Sequence, residues 1–134
     1  MGEKAAPAVI PFATFCILQQ CEHYIELGEI LINKYHIAHQ IFDDWQDIEL
    51  DVIRPEKSWL VNYIQEEMGS EINDPKQIRN FIRGTNFNLQ ILELIQSNLT
   101  EAKRLVKDLN FVHFEENISH LENLAVKCFQ RREV

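Results

Sequence analysis

An all-α helical bundle is what three observations predict. Glycine and proline number only 4 each in 134 residues, few for a chain built from strands and tight turns. Apolar residues recur at steps of three and four over long stretches, the period of a helix face. Between those stretches lie serine or aspartate before an apolar run and glycine after it, the usual start and stop signals of helices.

The first helix is expected from about Lys4 to Gln20, loosened at Pro11, where a backbone donor is lost. Val9, Ile10, Phe12, Ala13, Phe15, Cys16, Ile17 and Leu18 surround it, which predicts a helix buried on all sides. A second, longer helix is expected from Glu22 to Asp51, with Tyr24, Leu27, Leu31, Tyr35, Ala38, Phe42 and Trp45 along one face. Pro55 closes off helix for the residue before it, so Ile53 to Lys57 reads as an irregular connection. A third helix fits Ser58 to Met68, with Ser58 as N-cap and Gly69 as stop. Asp74 followed by Pro75 opens a fourth, which ends near Gly84. The last two carry matched stripes, Leu92, Ile95, Leu99, Ala102, Val106, Leu109 and Phe111, Phe114, Ile118, Leu121, Ala125, Cys128. Joined around Asn110, they predict an antiparallel hairpin.

The length suits one domain, residues 1–134, with one core. A hydrophobic fraction of 46% and a charged fraction of 25% are those of a globular chain. A net charge of -8 argues against a nucleic-acid or anionic-membrane partner, which needs a basic footprint. No apolar run reaches the length of a membrane span. The stretch from Ala5 to Leu18 contains Pro7 and Pro11 and is followed by no small-residue cleavage site, so it is not expected to be a signal peptide. Cys16, Cys21 and Cys128 show no metal-ligand spacing, and buried reduced thiols in a cytoplasmic protein are the expectation.

One stretch of the long helix stands out. Five acidic residues, Asp43, Asp44, Asp47, Glu49 and Asp51, fall within nine positions. Side chains four apart share a helix face, so Asp43, Asp47 and Asp51 are expected to form a carboxylate stripe about 12 Å long. Like charges so spaced weaken a helix by a few tenths of a kcal/mol per pair unless a cation sits on them. Carboxylate oxygens are hard ligands, and Mg2+ takes one or two of them together with waters and substrate phosphates. The stripe therefore reads as one wall of a Mg2+–diphosphate site, or, more blandly, as a solvated acidic face. Ile41, Phe42, Trp45 and Ile48 around it suggest that the acids point into a cavity or interface. His36, His39 and Asp43, at i, i+3 and i+7, also have a spacing compatible with a transition metal. The glycine of an EF-hand loop, the paired ExxH of di-iron bundles, P-loops and nucleophile elbows are all missing.

The segment His39-Gln40-Ile41-Phe42-Asp43-Asp44-Trp45-Gln46-Asp47 resembles the second aspartate-rich motif of trans-isoprenyl diphosphate synthases, of the form FQxxDDxxD. Lys4-Ala5-Ala6, some forty residues upstream, resembles the KT(A/G) segment of that family. The resemblance implies the C-terminal half of the class I isoprenoid-synthase fold, a helical bundle around a deep cavity. It also implies Mg2+ binding by Asp43, support of the ion and its waters by Asp44 and Asp47, diphosphate contact by Lys4, and a cavity wall at Gln40. Terpene cyclases of the same superfamily carry a motif (N/D)Dxx(S/T)xxxE, whose three ligand positions are filled here by Asp43, Asp47 and Asp51.

The sequence departs from the family in three ways. No first aspartate-rich motif is present, His39 and His36 replace an aromatic and a glycine, and the loop Arg54-Pro55-Glu56-Lys57 is short. Such a chain is expected to act on an isoprenoid diphosphate only with a complementary N-terminal-half chain, or else to be a non-catalytic or regulatory subunit that associates through its helices. In either case the chain alone is expected to form a homo-oligomer or to aggregate, because its first two helices carry much apolar surface. Ionising an allylic diphosphate requires Mg2+ to take up charge on the leaving group, and aromatic faces such as Phe12, Phe15, Tyr35 and Phe42 can attend the cation or simply fill the core.

Overall fold

The computed structural model describes residues 6–132, and every regular element among them is helical. They run α1 (Ala6–Leu18), a 3-10 turn (Glu22–Tyr24), α2 (Ile25–Gln46), α3 (Ile48–Ile53), α4 (Trp59–Met68), α5 (Pro75–Gly84), α6 (Phe87–Leu109) and α7 (Val112–Arg132). None of these helices is long and apolar enough to cross a membrane.

The longest stretch of packing runs along α2 and α6. Near the end of α2, Trp45 Nε1 donates to Asn88 Oδ1 at the start of α6, 2.9 Å away, so the two helices are antiparallel. At one end of α7 the ring of Phe114 lies 5.2 Å from Tyr35, and at the other the ring of Phe129 stacks 3.7 Å from Trp45. The third long helix thus runs alongside α2 in the same direction. Leu31, Ala38, Phe42 and Trp45 of α2, Ile95, Leu99, Ala102 and Val106 of α6, and Ile118, Leu121 and Ala125 of α7 form one continuous core. The 3-4 spacing seen in the sequence is the spacing of these buried stripes.

α4 and α5 close the lower end. Ser58 Oγ accepts from the Val61 amide, and Gly69, at φ 65°, ends α4. Asp74 caps α5, and Gln77 Oε1 returns a bond from the Asp74 amide, completing a capping box. Leu60, Val61, Ile64, Ile72 and Ile78 seal this end.

α1, α4 and α6 all end in the same way. A residue with positive φ (Gln20, Gly69, Asn110) follows the last turn. The next amide then reaches back five residues, Cys21 to Cys16 O, Ser70 to Gln65 O and Phe111 to Val106 O. These are Schellman closures, which bring the two residues joined by the six-residue bond side by side.

α1 departs from expectation. Pro11 lies inside it without ending it, although its ring nitrogen has no hydrogen to give the Pro7 carbonyl four residues back. The helix is not buried on all sides. Among its described side chains only Cys16 is buried, while Phe15 and Leu18 are 58% and 74% exposed, and Ile10 and Ile17 stand out beside them. It is held to α2 at Gly28, on which the Phe12 ring rests, and to the α6–α7 turn by an edge-on contact between Phe12 and Phe111.

Candidate functional site

α2 has two faces of opposite character. One is the buried row Leu31, Ala38, Phe42 and Trp45, with Tyr35 half-buried between them. The other carries Glu29, Asn33, His36, Gln40, Asp43 and Asp47, at steps of four and three, so that they share a stripe on the far side of the helix. Asn33, His36 and Gln40 are half-buried and Glu29, Asp43 and Asp47 are exposed. The packing on α6 and α7 fixes this stripe in space without covering its carboxylates.

The acidic residues do not form the single row that their spacing predicts. Asp43 is open, its side chain 52% exposed, with Oδ2 3.0 Å from His39 Nδ1. Asp44 is buried and accepts from Gln40 Nε2 at 2.7 Å. Asp47 is exposed and sits at the junction of α2 and α3, with φ -94° and ψ 6°. Its amide still reaches Asp43 O, and the Asp51 amide reaches Asp47 O, at 3.0 and 2.9 Å, so the chain turns at Asp47 without unwinding. Beyond that turn α4 and α5 pack on α3, and Asp51 is 5% exposed with Arg54 Nη1 2.6 Å from its carboxylate.

Asp51 therefore leaves the stripe. Covering by α4 and α5, and neutralisation by Arg54, remove it from the face that Asp43 and Asp47 occupy. The cyclase-type set of Asp43, Asp47 and Asp51 is not assembled, nor is the set His36, His39 and Asp43. Among the described residues no group of three His, Cys, Asp or Glu side chains is placed to hold a metal. Lys4 lies outside the described residues. What α2 does offer Mg2+ is two open carboxylates, Asp43 and Asp47, one turn apart. That fits an ion which takes one or two carboxylates from a protein wall and completes its shell with water and phosphate.

No family model, curated protein or solved structure matches the chain.

The short basic loop after α3 is committed to structure. Arg54 holds Asp51, and the Lys57 ammonium donates to the carbonyls of Val52 and Ile72, the latter at 3.3 Å. The sequence pattern does not single out two other basic residues. Arg79 and Arg83 of α5 line a cleft of about 490 Å³ with Gln46, Ile48, Glu49 and Asn88, and Arg79 pairs with Glu49 at 2.6 Å. The pair is separated by 30 positions, and only the packing of α5 on α3 brings it together. The one sequence signal was their i, i+4 spacing on a short helix, which is that of any solvated face.

Of the aromatic candidates, Phe42 is core, Tyr35 and Phe12 are half-buried in ring contacts with Phe114 and Phe111, and Phe15 is exposed. All three cysteines are free, Cys16 buried and Cys21 and Cys128 half-buried.

Proposed function

We propose that this chain supplies the metal-helix wall of an isoprenoid-synthase-type site, working on an isoprenoid diphosphate with Mg2+ against a facing wall from another polypeptide segment. The support for this reading is the open polar stripe of α2, in which Asp43 and Asp47 stand exposed on a helix whose other face is fully packed. A preorganised scaffold behind uncovered carboxylates is what a cation-dependent diphosphate site asks of one wall. When bound there, Mg2+ would neutralise charge on the departing diphosphate. Asp43 and Asp47 are assigned to hold it, His39 to orient the Asp43 carboxylate, and Gln40 to line the wall while fixing Asp44. Asp44 is assigned a positioning role, since it is buried against Gln40. The prenyltransferase form is preferred over the cyclase form because Asp51 is held by Arg54.

The test is release of pyrophosphate from an allylic diphosphate by this chain together with whatever stoichiometric partner co-purifies with it. Asp43→Ala and Asp47→Ala are expected to lower Mg2+-dependent release by about 100-fold or more, the scale of losing a transition-state charge stabiliser, while assembly persists. Asp51→Asn is expected to keep most of the release. Activity that survives both alanine substitutions overturns the proposal.

A second reading, a non-catalytic subunit that associates through its helices, is favoured by the exposed apolar residues of α1. Under it no partner carries aspartate-rich segments, and the same two substitutions leave association unchanged or alter it alone.

A further inference from the structure

α1 ends in a Schellman closure whose two paired positions are both cysteine. The Cys21 amide donates to Cys16 O at 2.9 Å, and the Gln20 amide donates to Ile17 O at 3.1 Å. Gln20 takes the left-handed conformation, φ 57°. In this motif the side chains of the two paired residues meet. At the end of α6 they are Val106 and Phe111, an apolar pair. Here they are thiols, and the Cys21 Sγ additionally points back to Cys16 O at 3.4 Å. A disulfide needs Cα atoms about 4.4–6.8 Å apart with converging Cβ atoms, and here both the Cys21 amide, at 2.9 Å, and the Cys21 Sγ, at 3.4 Å, lie on the Cys16 carbonyl.

We propose that Cys16 and Cys21 form a reversible intrachain disulfide that staples the end of α1 to the 3-10 turn and so fixes how α1 lies on α2. Half-buried Cys21 reacts first, since Cys16 is buried. Its thiolate attacks a small-molecule disulfide such as oxidised glutathione, forming a mixed disulfide and expelling one thiolate, which takes up the Cys21 proton. The Cys16 thiolate then attacks the Cys21 sulfur, closing the Cys16–Cys21 bond and expelling the second thiolate, which takes up the Cys16 proton. Two protein thiols are oxidised and one disulfide is reduced to two thiols. Burial first, then the hydrogen bond with Cys21 and the negative charges of the Cys21 thiolate and the Glu22 carboxylate, push the Cys16 thiol up from its ordinary range, so the closing step quickens as pH rises. The ring is short, so the bond acts on the local geometry of α1 more than on global stability.

The full chain is equilibrated in buffers of oxidised and reduced glutathione, quenched with acid, alkylated and mapped by mass. The expected product has lost about 2 Da, with Cys16 joined to Cys21 and Cys128 alkylated, and is restored by dithiothreitol. Formation in the folded chain should exceed that in the urea-unfolded chain by at least ~10-fold at the same glutathione ratio. Equal formation in both states, a stable glutathione adduct on Cys21, or a bond involving Cys128 overturns the proposal. Cys16→Ala should accumulate the Cys21 adduct instead; its failure to do so while folded counts equally against the pair. If that variant does not fold, the folded-against-unfolded comparison of the unaltered chain still decides.

Discussion

Trp45 joins three helices through one side chain. Its ring stacks on Phe129 of α7 at 3.7 Å and 14° between planes, it neighbours Phe42 in its own helix, and its indole N–H donates to Asn88 of α6. A buried indole needs such a partner for its single donor. Trp45→Ala is expected to lower unfolding free energy by about 3–5 kcal/mol, the range for emptying a large aromatic site, read as a fall in the urea midpoint. It lies between Asp44 and Gln46, inside the acidic stretch, yet faces away from Asp43 and Asp47. Adjacent letters therefore carry unrelated duties, and Asp43, Asp44 and Trp45 point in three directions from consecutive positions. The sequence spacing was enough to place Asp43 and Asp47 together. It could not place Asp51, because the turn at Asp47 and the cover from α4 and α5 are set by contacts more distant in the chain.

Among the elements, the helices are legible from sequence as helices, whereas the face a helix buries is legible only where its period is one-sided. α4 and α5 are bounded by Ser58, Gly69 and Asp74 as capping chemistry predicts, because a cap is decided by a few neighbouring residues, while α5 stops after Gly84 at an extended Thr85 and the last two helices join at Asn110 as their matched stripes predict. Asn110 sits at φ 56° and ψ 38°, a conformation that costs most L-residues about 1–2 kcal/mol. Asn110→Gly is expected to leave the urea midpoint unchanged or raise it, and Asn110→Val to lower stability by about 1–2 kcal/mol. α1 is apolar all round, a pattern that predicts burial but says nothing about which neighbours exist to cover it. Its seat on α2 was also invisible in sequence, since Gly28 reads there as one unremarkable glycine. A Cβ at Gly28 would lie 1.9 Å from the Phe12 ring. Gly28→Ala is therefore expected to weaken docking of α1 by about 1–3 kcal/mol, as overpacking does. Faster amide exchange in residues 6–18 would report it, and Phe12→Ala should largely mask the effect in a double mutant.

For the whole molecule, the central division is between a sealed core and an uncovered exterior on α1. The large apolar side chains Ile10, Phe15, Ile17 and Leu18 all stand exposed on one short helix, and clustered apolar exposure marks an association surface. Sedimentation of the chain alone is expected to give a mass above the monomer that rises with concentration, and Phe15→Glu with Leu18→Glu is expected to bring it back to monomer. A monomer at all concentrations would contradict this. The two-faced character of α2 has a different consequence for how the protein can vary. Each residue on that helix advances the chain by about 100°. An inserted or deleted residue between Leu31 and Trp45 would therefore rotate everything beyond it, carrying core side chains outward and carboxylates inward in one event. Substitutions can tune one face while sparing the other, but the length of this segment is locked, so variants that differ in length should differ in the loops.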